Sequence, residues 1–210
     1  KKLSTNLVVH SAYPTVSIWK IKSLSDTLLL NKLEQQLQAC QKINAWGLVI
    51  HVSKIEPVIV AHVMTIIKPL AIKYNIKIIL EMVASIANIK TTYETPEKIN
   101  NVTNLINNND NNNDNNNDNI INNWWGWCID TAHLWGAGVN VQKFNDMNKW
   151  LTDIMYKEKI VLFHLNGSSA DLQSGKDKHE IVFSKYDKIW KNIKPKMSGV
   201  KAIIQFSKEY

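Results

Sequence analysis

The chain has 210 residues, of which 45% are hydrophobic, so it can bury a substantial core within one domain. Its longest apolar run, PVIVAHVMTII, contains a histidine and is shorter than the roughly 20 residues of a membrane span. All 25 basic residues are lysine, and the net charge of +7 is compatible with a polyanionic partner without identifying one. We therefore expect a single domain over residues 1–210 that does not enter a membrane.

Runs of strand length alternate with helical patterns along the chain. The predicted strands are, in order, LVVHSAY, GLVIHVS, IKIILEMV, WWGWCIDTAH, KIVLFHLNGS and VKAIIQFS. The helical patterns between them include LSDTLLLNKLEQQLQACQKIN, PVIVAHVMTIIKPLAIKYN and PEKINNVTNLI. Such alternation, with strands that are apolar throughout, predicts βα units around a parallel sheet, either open or closed into a barrel.

One low-complexity segment, INNNDNNNDNNNDNIINN, covers residues 106–123. It has too little apolar content to offset the entropy of ordering, so we predict a disordered surface insertion there. The two cysteines, Cys40 and Cys128, have no Cys-x-x-Cys spacing, which favours a reducing, intracellular setting.

Polar residues that can bind metal recur at or just past the carboxyl ends of the predicted strands. They are His10, His51, Glu81, Asp130, His133, His164, Asp177 and His179. In parallel α/β folds these strand ends converge on one crevice, so the side chains should face a common volume. Any single histidine is more often a hydrogen-bonded core or loop residue, and Asp130 could instead cap a helix that starts at Thr131.

So many carboxylates and imidazoles in one crevice would repel or lose their hydration, and divalent metal ions are the ordinary remedy. Imidazole and carboxylate ligands suit zinc, and also manganese or iron. Eight candidate ligands exceed the needs of one ion, and clustered ions commonly hydrolyse phosphate esters. The residues thus indicate a multinuclear metallohydrolase that acts on phosphate.

The series VVHSAY, VIHVS, ILEMVA, CIDTAH, FHLN and DKHE resembles the endonuclease IV family of apurinic/apyrimidinic endonucleases in order and spacing. The resemblance covers nearly the whole chain, and CIDTAHLWGAG, HLN and GKDKHE are its most specific parts. It implies an α/β fold of the TIM-type (β/α)8 barrel class and hydrolysis of the DNA backbone 5′ to abasic sites. Against the family pattern, we expect this chain to lack the first two βα units.

The resemblance also implies roles for these residues around three zinc ions, for which Mn²⁺ could substitute. His10 and His51 would bind the first ion, Asp130 and His164 the second, and His133, Asp177 and His179 the third, with Glu81 bridging the first two. The implied partner is double-stranded DNA that contains abasic sites, bound by a monomer. The implied location is intracellular, at sites of DNA replication or repair.

Other positions concern the DNA and the departures from the family. Tyr13 corresponds to a tyrosine that enters the minor groove, and Lys176 and Lys178 could meet phosphates. Gln205 stands where the family has a glutamate at the end of its last strand, which would weaken catalysis because an amide brings no charge. Gly167 replaces an acidic residue, which predicts the loss of a hydrogen-bonding partner behind the metal ligands.

Three hypotheses follow for the function. The first is an active, zinc-dependent abasic-site endonuclease, and the second is a homologue that binds damaged DNA or metal without cleaving, as Gln205 would suggest. The third is a sugar isomerase or epimerase of the xylose-isomerase-like barrels, which also gather histidines and carboxylates at strand ends. The Asp-x-x-His and Asp-Lys-His pairs, which supply a third metal site, favour the endonuclease over the isomerase.

Overall fold

The structure is a computed structural model that describes residues 6–11, 18–52, 54–84, 92–113 and 123–210. Five strands form one sheet in the order of the sequence. They are β1 (Val8–His10), β2 (Gly47–Val52), β3 (Lys77–Met82), β4 (Trp125–Asp130) and β5 (Ile160–His164). The β1–β2 and β4–β5 pairs are parallel, as the βα alternation predicted.

Helices connect the strands, and a short antiparallel hairpin follows β5. The helices are α1 (Thr27–Lys42), α2 (Pro57–Tyr74), α3 (Pro96–Asn113), α4 (Thr131–Gly136), α5 (Phe144–Thr152) and α6 (Gly199–Glu209). The hairpin consists of β6 (Gly167–Ser168) and β7 (His179–Glu180). Strand β4 runs directly into α4, so Asp130 and His133 stand on either side of a strand-to-helix junction.

The chain divides into two compact units. The first comprises the described residues of Lys1–His51, Ile55–Leu80 and Asn104–Gly126, and the second those of Val52–Lys54, Glu81–Thr103 and Trp127–Tyr210. In the first unit, side chains of α1, α2 and β2 form a buried core that includes Leu37, Leu48 and Met64. In the second, Trp127, Leu134 and Trp190 are buried. The single domain therefore stays a prediction.

Helix α2 is long and apolar enough to cross a membrane by length and composition alone, a test that buried helices of folded domains also pass. Pro57 starts the helix, where its missing N–H leaves no hydrogen bond unmade, and Asn75 ends it in the left-handed conformation at φ 53°. Val60, Met64 and Ile67 are buried along one face. The apolar residues of α2 thus contribute to the core of the first unit.

The strand predicted over VKAIIQFS was wrong, because this segment forms most of helix α6. Five residues of α6 are buried, and four of them, Gly199, Ala202, Ile203 and Phe206, follow the i, i+3, i+4, i+7 spacing of a helix face; the fifth is Val200. The β-branched run that suggested a strand is divided between the two faces, since Ile203 is buried and Ile204 is exposed. Gln205 consequently lies on the exposed side of a helix and not at the end of a strand.

The predicted disorder also began too early, because α3 continues through residues 106–113. Ile106 is buried in the first unit and anchors this part of the helix. The amide of Asn109 donates from Nδ2 to Thr65 Oγ1 of α2, at 3.3 Å. A buried isoleucine and a cross-helix hydrogen bond therefore order the start of the asparagine-rich segment, while residues 114–122 lie outside the described residues.

Candidate metal centre

Each strand of the sheet carries one predicted ligand at or next to its carboxyl end. Three of these residues are the last residues of their strands: His10 in β1, Asp130 in β4 and His164 in β5. The other two are the last residue but one: His51 in β2 and Glu81 in β3. Asp130 and His164 are direct partners in the parallel register of β4 and β5. These five residues therefore lie at or next to the carboxyl ends of their strands, and their role as ligands stays a prediction.

In the first unit, the structure brings His10 and His51 together. Their Nε2 atoms lie 3.2 Å apart, and their rings meet edge to face, with centroids 4.7 Å apart. A tetrahedral ion with Zn–N bonds of roughly 2.0–2.1 Å would hold two such nitrogens about 3.3 Å apart. The separation of this pair therefore fits two ligands of one ion.

In the second unit, the buried carboxylate of Glu81 lies between two imidazoles. Its Oε1 is 2.9 Å from Nδ1 of His164 and 3.3 Å from Nδ1 of His133. A buried carboxylate is costly without compensating partners, and two imidazole groups on one oxygen supply them. Glu81 thus connects the two histidines that the sequence assigned to different ions.

Asp130 uses its two carboxylate oxygens for different purposes. Oδ1 accepts hydrogen bonds from the backbone N–H groups of Ala132 at 2.7 Å and His133 at 2.9 Å, which caps helix α4. Oδ2 lies 3.7 Å from both His164 Nδ1 and His179 Nε2. The two interpretations of this residue are therefore compatible, since one oxygen caps the helix while the other faces the histidines.

His133 is buried at the start of α4, and both of its ring nitrogens face acceptors. Nδ1 donates to the carbonyl of Met82 at 2.8 Å, and Nε2 lies 3.3 Å from Asp177 Oδ2. Burial lowers the pKa of this imidazole, but the bond to Asp177 and the charges of Asp130 and Glu81 outweigh it and raise the pKa to about 9. The surroundings therefore favour a positive charge at this position, and a metal ion would supply one.

Asp177 and His179 close the cluster in the second unit. His179 Nε2 is 2.9 Å from Asp177 Oδ1, and both side chains are about half exposed. One ligand atom from each of Asp130, His133 and His179 falls within 4.8 Å of the others. These side chains, together with Glu81 and His164, surround a small volume with nitrogen and oxygen donors, which is the donor set that zinc takes in catalytic sites.

Cys128 also comes close to the ligands, which was not predicted from the sequence. Its Sγ lies within 4.8 Å of a ligand atom of Glu81 and of His164. Burial raises the pKa of this thiol, and the charges of Glu81 and Asp130 raise it further, so the thiol stays neutral. The signal was available in the sequence, because residues two apart on a strand point to the same face and Cys128 precedes Asp130 by two.

Asn166 is a second residue that was not predicted from the sequence. Its side-chain Nδ2 donates to Asp130 Oδ2 at 2.7 Å, and its backbone carbonyl accepts a hydrogen bond from Thr131 Oγ1 at 2.6 Å. The signal was again its position, two residues after His164, which ends β5. Asn166 therefore orients a predicted ligand.

The remaining predicted positions have different outcomes. Tyr13 lies outside the described residues. Lys176 and Lys178 are exposed on either side of Asp177, so their ammonium groups are accessible to a ligand. Gln205 is exposed on α6, and its predicted place at a strand end was wrong because the segment is helical.

A carboxyl group from another part of the chain occupies the space beside Gly167. A Cβ on Gly167 would lie 2.6 Å from Cγ of Asp187, so the carboxyl of Asp187 fills the space beside this glycine. Asp187 is buried and accepts hydrogen bonds from the backbone N–H groups of Ser168, Phe183 and Ile189. Gly167 is thus required for the close approach of this carboxyl group.

Comparison with known proteins finds similarity over nearly the whole chain, although no family model matches it. A protein named "Probable AP endonuclease" from African swine fever virus (isolate Tick/South Africa/Pretoriuskop Pr4/1996) is 28% identical over 207 residues, or 95% of this chain. A "Probable endonuclease 4" from Sulfurihydrogenibium sp. (strain YO3AOP1) is 27% identical over 184 residues, or 84% of this chain. The chain spans 63% and 61% of these two relatives.

Solved structures share its architecture. The crystal structure of AsfvAP:AG matches with a TM-score of 0.75 and 26% identity over 96% of this chain and 62% of that chain. A xylose isomerase domain protein from Salmonella typhimurium matches with a TM-score of 0.63 at 13% identity over 97% of this chain and 62% of that chain. Endonuclease IV from Thermus thermophilus matches with a TM-score of 0.55 at 15% identity over 98% of this chain and 77% of that chain. These likenesses confirm the predicted α/β fold of the TIM-barrel class.

Proposed function

Because the chain belongs to the endonuclease IV family of apurinic/apyrimidinic endonucleases, we propose that this protein is a metal-dependent DNA repair nuclease. Its substrate would be the phosphodiester bond 5′ to an abasic site in double-stranded DNA. The observation that carries this proposal is Asp130, whose Oδ1 is fixed by the helix cap while Oδ2 faces His164 and His179. A carboxylate held in this way is prepared to bind a cation.

Zinc is the metal that the donor set favours, and Mn²⁺ could substitute for it. We assign three ions in total, as the family resemblance implies. The pair His10 and His51 in the first unit supports one of them through its 3.2 Å separation of nitrogens. The cluster of Glu81, Asp130, His133, His164, Asp177 and His179 in the second unit supports the others.

Zinc held by these residues would supply a nucleophile near neutral pH and polarise the phosphate oxygens. The chain's own part is to place the ligands and to hold their protonation states. The carbonyl of Met82 fixes the ring of His133, and Asn166 fixes the carboxylate of Asp130. Ligands oriented before the metal arrives lose less entropy on binding, which strengthens the site.

The proposed partner is duplex DNA that contains an abasic site, and we propose that a monomer binds it. Lys176 and Lys178 are exposed beside Asp177 and would contact phosphates as point charges. Tyr13 would enter the minor groove, as the family resemblance implies. The proposed location of the protein is intracellular, at sites of DNA replication or repair.

Two alternatives differ from this proposal in their chemistry. A silenced homologue was suggested by Gln205, but the exposed position of Gln205 on α6 removes the reason to expect a missing ligand there. A sugar isomerase or epimerase is compatible with the fold, which it shares with the xylose isomerase domain protein. The close grouping of Asp130, His133 and His179 favours the nuclease, because it supplies ligands for an additional metal ion.

Cleavage of a duplex oligonucleotide with one tetrahydrofuran abasic analogue tests the proposal. We expect the zinc-loaded protein to cut the strand on the 5′ side of the lesion. Cleavage should stop when a chelator removes the zinc and should resume when zinc is restored. Asp130→Asn should abolish cleavage, because the amide still caps α4 but brings no charge to the metal.

The matched control is Asp146→Asn, which removes an exposed carboxylate in the first turn of α5. It should leave cleavage unchanged. Cleavage that survives chelation, or that Asp130→Asn and Asp146→Asn reduce equally, would contradict a metal site at Asp130. Conversion of an aldose to a ketose by the zinc-loaded protein, without DNA cleavage, would instead support the isomerase.

A further inference from the structure

A concentration of lysines lies just before α6 and in its first turn. Residues 185–201, KYDKIWKNIKPKMSGVK, contain one acidic residue, Asp187, which is buried. The lysines, which we call the lysine ridge, are Lys185, Lys188, Lys191, Lys194, Lys196 and Lys201, and all are exposed. This segment therefore presents a strongly positive surface.

The charges of the ridge are largely uncompensated within the described part of the chain. Lys188 pairs with Asp171, with 2.7 Å between Nζ and Oδ1. Asp187 does not neutralise the ridge, because its carboxylate is occupied by backbone N–H groups. Among the described residues, Lys191, Lys194 and Lys196 form no ion pair. Their ammonium groups are therefore available to an anionic partner.

The backbone beneath the ridge is well ordered by packing and hydrogen bonds. Trp190 is fully buried, and its Nε1 donates to the carbonyl of Val141 at 3.2 Å. The N–H of Gly199 donates to the carbonyl of Gln142 at 2.9 Å. The backbone at the ridge is therefore already fixed before a partner binds, so binding costs only the entropy of ordering the lysine side chains.

The ridge is connected to the candidate metal ligands of the same unit. The backbone N–H of Lys188 donates to the carbonyl of Ser168 at 2.6 Å. Ser168 is in turn the β-ladder partner of His179 in the β6–β7 hairpin. The connection that carries the ridge starts directly after His164. The backbone of the ridge at Lys188 is thus one hydrogen bond away from the hairpin that carries His179.

We propose that the lysine ridge docks the sugar–phosphate backbone of a nucleic-acid duplex, independently of base sequence. The choice of a duplex as the partner rests on the proposed function, in which the substrate is double-stranded DNA. Ammonium groups act as point charges that suit phosphates, whereas base recognition favours the planar groups of arginine and the amides. The exposed side chains of Tyr186 and Met197 between the lysines add apolar surface for sugars.

An anionic membrane is the less fitting partner for the ridge. Membrane-surface segments generally present an amphipathic helix with a free apolar face. The apolar face of α6, which follows the ridge, is already buried in the protein through Ile203 and Phe206. The ridge therefore offers charge without a free helix face that could enter lipid.

Equilibrium binding of an undamaged, fluorescein-labelled DNA duplex, measured by anisotropy over a range of salt concentrations, tests the docking surface. The variant Lys191→Ser, Lys194→Ser, Lys196→Ser removes three exposed charges of the ridge. If each lysine meets one phosphate, the slope of log affinity against log salt should fall by about 0.9 for each. The affinity at about 0.1 M salt should fall roughly ten-fold or more.

The matched control is Lys32→Ser, Lys42→Ser, Lys208→Ser, which removes the same charge from exposed positions of α1 and α6. It should leave the slope close to that of the unchanged protein. Equal losses of duplex affinity in the two variants would overturn the proposal that the lysine ridge docks the duplex, because net charge alone would then explain binding. Unchanged duplex binding with lost binding to phosphatidylserine vesicles would overturn it in favour of a membrane.

Parallel cleavage assays separate this inference from the proposed function. If the protein never cleaves abasic DNA but the ridge variant loses duplex binding, the nuclease proposal is wrong and docking on the lysine ridge is supported. If cleavage is normal and the ridge variant binds the duplex as well as the control does, docking on the lysine ridge is wrong and the nuclease proposal is supported. Circular dichroism on both triple variants verifies that the exposed substitutions leave the fold intact.

Discussion

The side-chain amide of Asn166 donates to Oδ2 of Asp130 across 2.7 Å, on the oxygen that faces the histidines. The other oxygen of Asp130 is held by two backbone N–H groups of α4. The rotation of this carboxylate is therefore fixed from both sides. One lone pair of Oδ2 remains available for a metal ion, because a carboxylate oxygen accepts more than one bond.

Removal of Asn166 should therefore weaken metal binding. We expect Asn166→Ala to lower zinc affinity roughly 10–100-fold, as is typical when the partner of a metal ligand is lost. Competition with a fluorescent zinc chelator measures this affinity. Asn140→Ala, at an exposed asparagine before α5, is the control and should have no effect. Unaltered affinity in Asn166→Ala would show that Asp130 needs no orientation.

Two substitutions of Asp130 should separate its capping role from its ligand role. Asp130→Asn keeps a carbonyl oxygen for the backbone of α4, so the metal-free protein should keep the cap and lose only the hydrogen bond from Asn166 to Oδ2. Asp130→Ala loses the cap as well and should be less stable than Asp130→Asn by about 0.5–2 kcal/mol. Both variants should lose zinc affinity. Equal thermal stability in the two variants would show that the cap contributes nothing.

The pH dependence of stability should reflect the charge of His133. Its pKa in the folded protein is raised to about 9, whereas an unperturbed histidine has a pKa near 6.5. The protonated form therefore stabilises the metal-free fold fully below about pH 6.5, and this contribution is lost as the pH rises through 9. Urea unfolding of chelated protein at pH 6, 7.5 and 9 measures it.

The variant Asp177→Asn provides the comparison, because the bond to Asp177 is the largest influence that raises the pKa of His133. We expect a smaller loss of stability between pH 6 and 9 in this variant than in the unchanged protein. A loss of the same size in both would show that Asp177 does not hold the proton on His133.

Gln205 should be replaceable without consequence for the metal centre. Its side chain is exposed on α6, so Gln205→Glu should leave zinc affinity and cleavage within two-fold of the unchanged protein. Exposed substitutions of this kind change the free energy of unfolding by about 0.5 kcal/mol or less. A large gain in cleavage with Gln205→Glu would restore the view that this residue occupies a ligand position.

Gly167→Ala should destabilise the protein, because the new Cβ would lie 2.6 Å from Cγ of Asp187. Overpacking of this kind costs about 1–3 kcal/mol. The control is a double-mutant cycle with Asp187→Ala, which removes the obstructing carboxyl. We expect Gly167→Ala to cost less in the Asp187→Ala background, as measured by urea unfolding. An additive cycle would contradict a direct clash.

Much of this arrangement was predictable from the sequence, since strand ends are set by local apolar patterns. The strand WGWCID ends at Asp130, and the parallel pairing of β4 with β5 then places His164 beside it. The interpretation of VKAIIQFS failed because β-branched residues occupy a helix face when tertiary packing demands it. Asn166 and Asp187 were missed because their partners are far away in sequence.

The hydrogen bond from His133 to the carbonyl of Met82 does not depend on the side chain at position 82. It fixes the ring of His133 through a main-chain oxygen, which every amino acid at position 82 would also provide. The orientation of Asp130 depends instead on the side chain of Asn166, which a single codon change can remove. Natural variation should therefore be tolerated more readily at Met82, within the limits of core packing, than at Asn166.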